Sequence, residues 1–376
     1  MRVLLCHQPI DGGVGRHIRD LTDGLGAKGY EVILCSPAIT PGTGRPVAHI
    51  QLDLGRAVAL GADSMALARF ARIVRDVHAD VIHAHSSKAG AIARLAKLAS
   101  PRVPVLYTPH GYAFAGHFSR HAERLAYRAV ERALAPIASR VVCVCEAEAR
   151  LARAIGPASR VRVNHNGIDR PGAGTVDLRV AELSRRGPVI GAVSLLRSGK
   201  GLETLIAAVP RVVASHPHAQ VAIVGEGPDL DRLEAQARAR GVGQVVRFLG
   251  ASAEPLGALR GFDLFVHPSW AEAFPYVVLE AMSLSLPIVA SDVGGIGEAV
   301  IGGESGLLIP PGDERVLARA LIDLLDDPRR AARLGESALS RVCREFTREK
   351  MINRLSDLYE ETVSGPPSAS ARPPER

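Results

Sequence analysis

The sequence contains few cysteines, aromatic residues and lysines for a chain of 376 residues. Its five cysteines are too few and too scattered for a disulfide framework, and no second pair follows Cys143 and Cys145 at zinc-ligand spacing. They are therefore expected to be reduced thiols, as in a cytoplasmic protein. No apolar run approaches the roughly 20 residues of a membrane-spanning helix. The apolar run near the N-terminus is also shorter than the core of a signal peptide, so neither membrane insertion nor secretion is expected.

Lysine is scarce even among the basic residues, because 41 of the 46 are arginine. The net charge is +7, but an excess of Arg, Ala, Gly and Pro is typical of GC-rich codon usage, so the charge is not taken as evidence for a nucleic-acid partner. It is compatible with anionic ligands or an anionic membrane surface. Lys200 is the only lysine between Lys97 and Lys350 and lies in a glycine-containing turn, which indicates a need for a compact ammonium group there.

Short apolar runs alternate with helical patterns, which predicts parallel βαβ units and an α/β fold with two Rossmann-like, doubly wound domains. The first domain is predicted over residues 1–170 and the second over residues 187–340, because the stretch between them is weakly patterned and contains Gly and Pro. The predicted strands of the first domain are Val3–Cys6, Glu31–Cys35, His49–Asp53, Val81–Ala84, Val105–Thr108, Arg140–Val144 and Val161–Asn164. Those of the second are Val189–Val193, Gln220–Val224, Val245–Leu249, Leu264–Val266, Pro287–Ala290 and Gly306–Ile309.

The regions expected to bind ligands follow from this fold. In doubly wound sheets, ligands bind beyond the carboxyl ends of the strands, so the loops after the strands are the candidates, facing a cleft between the two domains. A last amphipathic helix is predicted over Phe346–Glu361. The tail over residues 364–376 is rich in Pro and Ser and is predicted to be disordered.

Two motifs follow strands of the first domain. Gly12, Gly13 and Gly15 come after the first strand, next to Arg16, and allow the backbone to approach a phosphate or sugar; a tight turn is the alternative interpretation. Their spacing differs from a dinucleotide fingerprint, and no acidic residue ends the second strand, which disfavours a dinucleotide cofactor. His110 follows the fifth predicted strand, where it can donate a hydrogen bond to a sugar hydroxyl or phosphate; a structural histidine is the alternative.

Two further motifs follow strands of the second domain. Arg197 and Lys200 lie in a turn before a helix, where two cations suit a diphosphate; a surface turn is the alternative. Glu272 lies in a loop and Glu280 in the helix after it, and carboxylates accept hydrogen bonds from the paired hydroxyls of ribose and hexose. The same regions offer further candidate contacts through backbone groups, at Phe274, Tyr276, Val277, Gly225 and Gly294.

In their order along the chain, these motifs resemble glycosyltransferase family 4. The resemblance covers residues 2–361 and rests on the ordered set Gly12-Gly13-x-Gly15-Arg16, His83-Ala-His-Ser-Ser-Lys-Ala-Gly90, Thr108-Pro-His-Gly-Tyr112, Asn166-Gly-Ile-Asp169, Lys200-Gly201, Gly225-Glu-Gly-Pro228, Glu272-x7-Glu280 and Gly294-Gly295. Members of this family are retaining enzymes of the GT-B fold. The resemblance implies that a sugar is transferred from a nucleotide-sugar donor, a UDP-sugar or alternatively a GDP-sugar, to an acceptor hydroxyl without a metal or other cofactor.

The resemblance also implies roles for the matching residues. It implies that Gly12 and Gly13 bring the backbone to the donor diphosphate and the acceptor side, and that Arg197 and Lys200 hold the diphosphate. It assigns His110 and Glu272 to the transferred sugar and Glu280 to the ribose diol. The last helix is expected to cross back onto the N-terminal domain. The sequence departs from the family at Leu195, where an arginine is frequent, and at Pro275, which removes one backbone donor from the loop.

Other functions on the same architecture are the alternatives. A nucleotide-sugar epimerase would bind the same donor and isomerise it without an acceptor. A non-catalytic nucleotide-sugar-binding protein is disfavoured because His110, Lys200, Glu272 and Glu280 are all present. An NAD-dependent dehydrogenase is disfavoured by the missing fingerprint. For the acceptor, a polysaccharide or lipid-linked glycan is preferred to a small natural product.

A basic helix is predicted over Ser119–Leu134. Arginines recur every four residues along it, at Arg120, Arg124, Arg128 and Arg132. This stripe favours a peripheral enzyme that docks on anionic lipid headgroups at the inner face of the cell membrane and reaches a lipid-linked acceptor there. The alternative is a solvated helix face with Glu123 and Glu131 interspersed.

Overall fold

The computed structural model describes residues 1–44, 46, 48–55, 57–115, 121–252 and 254–364. Their packing divides the chain into two compact units. The first unit contains residues 1–114, 121–165 and 348–364, and the second contains residues 115 and 166–347. Each unit is built on one parallel β-sheet with helices packed against it.

The strands lie close to the apolar runs of the sequence. In the first unit they are β1 (Arg2–His7), β2 (Glu31–Ser36), β3 (Ala48–Gln51), β4 (Val81–His85), β5 (Val105–Thr108), β6 (Arg140–Cys143) and β7 (Val161–Val163). In the second unit they are β8 (Val189–Val193), β9 (Gln220–Val224), β10 (Val246–Phe248), β11 (Leu264–His267), β12 (Ile288–Ser291) and β13 (Leu307–Ile309).

The helices connect these strands and close both units. They are α1 (Gly12–Ala27), α2 (Leu60–Val77), α3 (Ser87–Lys97), α4 (His121–Leu134), α5 (Glu146–Ile155), α6 (Leu178–Ser184), α7 (Leu202–Ser215), α8 (Leu230–Ala239), α9 (Pro255–Leu259), α10 (Tyr276–Ser283), α11 (Ile296–Ala299), α12 (Glu314–Asp326), α13 (Pro328–Glu345) and α14 (Arg348–Ser364). Short 3₁₀ turns occur at Ala113–Ala115, Ala135–Ile137 and Ala158–Arg160. No helix of the described residues is long and apolar enough to span a membrane.

The sheet of the first unit runs in the order β3-β2-β1-β4-β5-β6-β7, with parallel pairing. Successive residues of its central strand are buried on opposite faces, since side chains alternate across a strand. Leu4 packs with residues of α2 and α3, whereas Val3 and Leu5 pack with residues of α1 and α14. The strand order reverses between β1 and β4, and such a reversal leaves a crevice at the carboxyl ends of the two strands.

Helix α14 belongs to the first unit although it follows the whole second unit in the chain. Its Ile352 packs directly on α1, where a Cβ added at Gly24 would lie 2.6 Å from it. Ser356 hydrogen-bonds Tyr30, with 2.6 Å between the hydroxyl oxygens. Five apolar or aromatic residues of α14 are buried in one core with β1, which shows that the first unit needs this helix to close one face of its sheet.

The sheet of the second unit runs in the order β10-β9-β8-β11-β12-β13 and is also parallel. Its core joins Ile190 and Ile223 of the sheet to Leu205 of α7 and Leu321 of α12. Here the strand order reverses between β8 and β11. The second crevice of the chain therefore lies beyond the carboxyl ends of those two strands.

The predicted α/β fold with two doubly wound sheets is confirmed. The structure adds two helices that the sequence pattern did not predict: α5, and α6 within the weakly patterned stretch 170–187. Helix α1 begins at Gly12, two residues before Val14, where the helical pattern of the sequence predicts its start. The last helix begins at Arg348 because the Phe346 carbonyl accepts a hydrogen bond from Ile168 of the second unit. Most of the tail predicted to be disordered, residues 365–376, lies outside the described residues.

Candidate active site

The crevice of the second unit brings together two of the predicted motifs. The turn that carries Arg197 and Lys200 follows β8, and the loop that carries Glu272 follows β11. These strands are hydrogen-bonded neighbours, with Leu264 opposite Ile190. The two segments therefore emerge side by side, although about 70 residues separate them in the chain.

Close backbone contacts fix these two segments against each other. The amide of Trp270 donates to the carbonyl of Gly199 at 2.9 Å. Gly201 has a φ of +68°, and a Cβ there would overlap the carbonyl of Pro268. Gly294, with a φ of +55°, packs in the same way on the carbonyl of Glu272. Glycine is therefore required at both positions, because only glycine adopts positive φ freely and leaves room for the opposing backbone.

The centre of the crevice is a polar cluster around one carboxylate oxygen. Glu272 Oε1 accepts hydrogen bonds from Lys200 Nζ at 2.5 Å, from Ser269 Oγ at 2.8 Å and from His267 Nε2 at 3.1 Å. The side chains of Lys200 and Glu272 are 16% and 12% exposed, so their charges are largely removed from water. Among the described residues no donor lies on Glu272 Oε2, which leaves that oxygen with its full capacity to accept hydrogen bonds from a ligand.

The environment of Glu272 keeps it ionised. Burial alone would raise its pKa, but the Lys200 ammonium and the hydrogen bond from His267 outweigh burial and lower the pKa well below the ordinary value of 4.5. At neutral pH the cluster therefore holds one negative charge next to one positive charge. Such a pair can accept hydrogen bonds from sugar hydroxyls and attract a phosphate at the same time.

The loop after Glu272 leads into α10. Phe274 is buried, its carbonyl accepts from Asn166 Nδ2 at 2.7 Å, and its ring lies 5.2 Å from that of Phe346. Tyr276 and Val277 are the first residues of α10, so their amides belong to the helix N-terminus, where donors point away from the helix. Glu280 lies one turn later and is half-buried. These residues lie in the loop after β11 and in the first turns of α10.

Two other candidates of the second unit lie outside the polar cluster. Arg197 is exposed on the β8 turn, and no ion pair joins it to another described residue. Gly225 follows β9 and donates its amide to Gly250 at 2.9 Å. Of the two cations predicted for the diphosphate, only Lys200 is held in place by protein contacts.

The glycine motif of the first unit lies between β1 and α1. Gly12 and Gly13 are exposed, and no atom lies within 4 Å of a Cβ added at either one. Gly15 is buried and packs on the carbonyl of Ile10. Arg16 pairs with Asp20 on the same helix, with 2.9 Å between Nε and Oδ2. Only the first two glycines therefore leave space for a ligand.

His110 lies in a group of histidines at the crevice of the first unit. It follows β5 with a φ of +55° and is partly buried. Its Nε2 lies 3.1 Å from Nδ1 of His85, the last residue of β4. His17 of α1 lies beside both, with its ring centroid 4.7 Å from that of His110. Burial, and next the neighbouring histidines, lower the pKa values of His85 and His110 well below the ordinary value of 6.5, so both rings are neutral at pH 7.

A second row of contacts supports these histidines. His83 is fully buried, with Nδ1 2.7 Å from the hydroxyl of Tyr359 and Nε2 2.8 Å from the hydroxyl of Thr108. Its ring centroid lies 4.0 Å from that of His85. Tyr359 is part of α14, so the last helix reaches the crevice end of the sheet.

Sequence reasoning gave no role to four polar residues of the two crevices: His17, His85, His267 and Ser269. A signal for two of them was present, because His85 ends β4 and His267 ends β11, and strand ends at a reversal of strand order form crevices. The interpretation of Glu131 as a solvated residue of α4 is wrong. Glu131 is buried, with Oε2 2.9 Å from Arg94 and Oε1 2.8 Å from the Tyr107 hydroxyl.

Comparison with known proteins agrees with this arrangement. The profile of the glycosyl transferases group 1 matches residues 177–341, and that of the glycosyl transferase 4-like domain matches residues 12–167. The glycogen synthase of Mycobacterium tuberculosis is 30% identical over 398 residues, covering 96% of this chain and 94% of its own.

Solved structures show the same fold. Sucrose-phosphate synthase from Thermosynechococcus elongatus superposes with a TM-score of 0.83 at 24% identity, covering 97% of this chain and 100% of its own. The Anabaena protein HepE, solved in complex with UDP and glucose, gives a TM-score of 0.82 at 24% identity, covering 96% of this chain and 100% of its own. The chain therefore belongs to the glycosyl transferases of group 1, glycosyltransferase family 4, and is an enzyme of glycosyltransferase type with the GT-B fold.

Proposed function

We propose that the enzyme transfers a sugar from a UDP-sugar to an acceptor hydroxyl with retention of configuration at the anomeric carbon. The bond from the anomeric carbon to the diphosphate oxygen breaks, and the acceptor oxygen bonds to the same face of that carbon. The proton of the acceptor hydroxyl passes to a diphosphate oxygen, so that UDP leaves as the second product. UDP is preferred to GDP because the HepE structure, which shares this fold, contains UDP.

The polar cluster around Glu272 carries this proposal. Its Oε1 is occupied by three protein donors, and Oε2 is left for the hydroxyls of the transferred sugar. Lys200 lies 2.5 Å from the same carboxylate, so a diphosphate that binds Lys200 brings the attached sugar to Glu272. Glu280, one helical turn into α10, is assigned to the ribose diol, and His110 of the first unit to the transferred sugar.

The leaving diphosphate is proposed to be stabilised by fixed positive groups. Lys200, Arg197 and the amides at the start of α10 supply them, as expected where a preformed electrostatic site replaces a metal ion. We therefore expect turnover to persist in EDTA. Loss of turnover in EDTA that is restored by Mg²⁺ or Mn²⁺ would contradict this part of the proposal.

A donor screen tests the proposed function. The thermal stability of the wild-type enzyme is measured with UDP, GDP and their sugars, beside two lysine variants, Lys200→Gln and Lys28→Gln. Lys28 is exposed on the first unit and serves as the matched control. A ligand at 100 times its Kd contributes about 2.7 kcal/mol of stability, so the expected shift for UDP is measurable in the wild type and in Lys28→Gln. No shift with any nucleotide, or a product of inverted configuration by NMR, would refute the proposal.

For the acceptor, we propose a lipid-linked glycan reached by docking on an anionic membrane, in polysaccharide or lipid-linked glycan assembly. Arg120 lies outside the described residues, but Arg124, Arg128 and Arg132 are exposed along α4. Beside this cationic row, Leu125 is 51% exposed and Val130 is 52% exposed. Four exposed alanines lie between them on the helix surface, namely Ala122, Ala126, Ala129 and Ala133. A cationic row next to an exposed apolar face is the pattern of a helix that lies in a membrane interface.

Liposome binding tests the docking proposal. Arg124→Ser with Arg128→Ser should weaken binding to anionic vesicles, by about 1 kcal/mol for each arginine near the surface. The control pair, Arg232→Ser with Arg238→Ser, removes two exposed arginines from α8 of the second unit and should change nothing. Absence of wild-type binding to anionic vesicles at low salt would contradict the docking proposal and leave the donor chemistry unaffected.

A further inference from the structure

Three histidines of the first unit converge at the crevice where its strand order reverses. His17 comes from α1, His85 from the end of β4, and His110 from the loop after β5. One ring nitrogen of each lies within 4.8 Å of those of the other two. The ring centroids are 4.7, 5.3 and 5.4 Å apart. The chain thus places three imidazoles from three separate elements around one point.

We propose that His17, His85 and His110 bind one transition-metal ion, Zn²⁺ by preference, through one nitrogen of each ring. Zn–N distances of about 2.0–2.1 Å in tetrahedral geometry place three coordinating imidazole rings about 5 Å apart between centroids, which matches the observed triangle. Three protein ligands leave a fourth position for water or another small ligand, as in open zinc sites.

The donor set selects the class of metal. It contains imidazoles only, which suit Zn²⁺, Cu²⁺ and Ni²⁺, and no carboxylate or other oxygen ligand of the kind that Mg²⁺ and Ca²⁺ require.

One nitrogen at this site lacks a partner. His85 Nε2 is buried and has no hydrogen-bond partner among the described residues. A buried polar atom without a partner costs free energy, and a metal ion bound at His85 Nε2 would supply the missing partner. Behind it, His83 is fixed between Thr108 and Tyr359 and packs on the His85 ring. This packing fixes one side of the His85 ring.

The inferred site gives the ion an inhibitory role that rests on the proposed function. His110 is there assigned to the transferred sugar, and a metal ion bound to His110 removes its nitrogen from that contact. Micromolar Zn²⁺ is therefore expected to inhibit transfer, and EDTA to restore it. Binding of UDP at the Glu272 cluster of the second unit is expected to be unchanged by Zn²⁺, since that cluster belongs to a different sheet.

The test is calorimetric titration of tag-free, EDTA-treated enzyme with Zn²⁺, and with Mg²⁺ as the contrasting ion. We expect one Zn²⁺ per chain with micromolar or tighter affinity, no binding of Mg²⁺, and at least tenfold weaker Zn²⁺ binding in His17→Gln. The matched control is His216→Gln, which removes a histidine of the second unit that pairs with Asp326 and should keep wild-type Zn²⁺ affinity.

A second measurement uses the unaltered chain, in case the His17 variant does not fold. Histidine ring resonances followed by NMR should shift on addition of Zn²⁺ for His17, His85 and His110. Equal Zn²⁺ affinity in the two variants, shifts confined to other histidines, or no binding would overturn the inferred site. A parallel titration with UDP reports on the donor site alone, so failure of the metal site and failure of the proposed function give different results.

Discussion

Glu272 offers the sharpest test of how the second crevice works. In Glu272→Gln the side chain keeps its size and its capacity to accept hydrogen bonds from Ser269 and His267, but Lys200 loses its counter-charge. The paired side chains are 12% and 16% exposed, and removal of one partner from a buried ion pair costs about 3–5 kcal/mol. The free energy of unfolding of the second unit should therefore fall by several kcal/mol.

The same change should not weaken UDP binding. UDP carries no sugar for Glu272 to contact, and the substitution releases Lys200 from its ion pair to bind the diphosphate. We expect UDP affinity to stay within about threefold of wild type or to increase, while turnover falls by about 100-fold or more, the scale seen when a preformed electrostatic contact to the reacting group is removed. That combination marks an interaction made at the transferred sugar.

Three matched variants separate the roles. Lys200→Gln should lose about 1.5–3 kcal/mol of UDP binding, or roughly 10–150-fold in affinity, because a charged hydrogen bond is removed. Glu280→Gln should weaken UDP and UDP-sugar alike, since both contain the ribose. Titration calorimetry with UDP and turnover with the true donor are measured for each. If Glu272→Gln loses UDP binding while Glu280→Gln retains it, the assignment of the two glutamates is reversed.

The pKa of Glu272 adds a pH dependence to this comparison. Its folded value lies below 4.5, so the carboxylate contributes its full stabilisation above pH 4.5 and loses it as the pH falls towards the folded value. The Tm difference between wild type and Glu272→Gln should therefore be constant above pH 5 and narrow below about pH 4.5. A difference that stays constant through this range would show that Glu272 is not a buried carboxylate paired with Lys200.

Two further substitutions test the packing that supports the sites. Gly294→Ala should destabilise the second unit by about 2 kcal/mol or more, since φ is +55° and the Cβ overlaps a carbonyl oxygen; Gly303→Ala, also at positive φ but in open space, should cost less in thermal unfolding. Glu131→Gln should cost about 3–5 kcal/mol, because Arg94 then remains buried without a counter-charge, whereas Glu123→Gln on the exposed face of the same helix should be nearly neutral. Equal costs within either pair would contradict these packing arguments.

Local pattern predicted the sheets and the segments that form the crevices. Strands such as Gln220–Val224 were predicted correctly because a strand buried on both faces appears in the sequence as a nearly continuous apolar run. The bounds of such a run mark the bounds of the strand. The Lys200 turn and the Glu272 loop were recognised because each follows such a strand. Their pairing was not predictable, since it depends on β8 and β11 being neighbours, and sequence patterns do not give strand order.

The missed features depend on contacts between distant segments. By sequence, Glu131 is one of several charged residues of α4. It contacts Arg94 only because α4 packs against α3 in the folded unit. His17 lies ten residues from the nearest other histidine, and its place beside His110 follows from the position of α1 at the same sheet end as β5. Helix α6 is short, and it lies in a segment whose composition is typical of a linker.

The position of α14 has a consequence for how the protein is made. The strands of the first unit are translated early. Helix α14, which closes one face of their sheet, is translated only after the entire second unit. Val3, Leu5 and Leu21 must therefore remain without Ile352 and Tyr359 while the second unit is synthesised and folds. During that interval the nascent chain exposes an apolar face of the first unit. Such a surface promotes aggregation unless a chaperone covers it. Shortening the chain within α14 would make that exposure permanent.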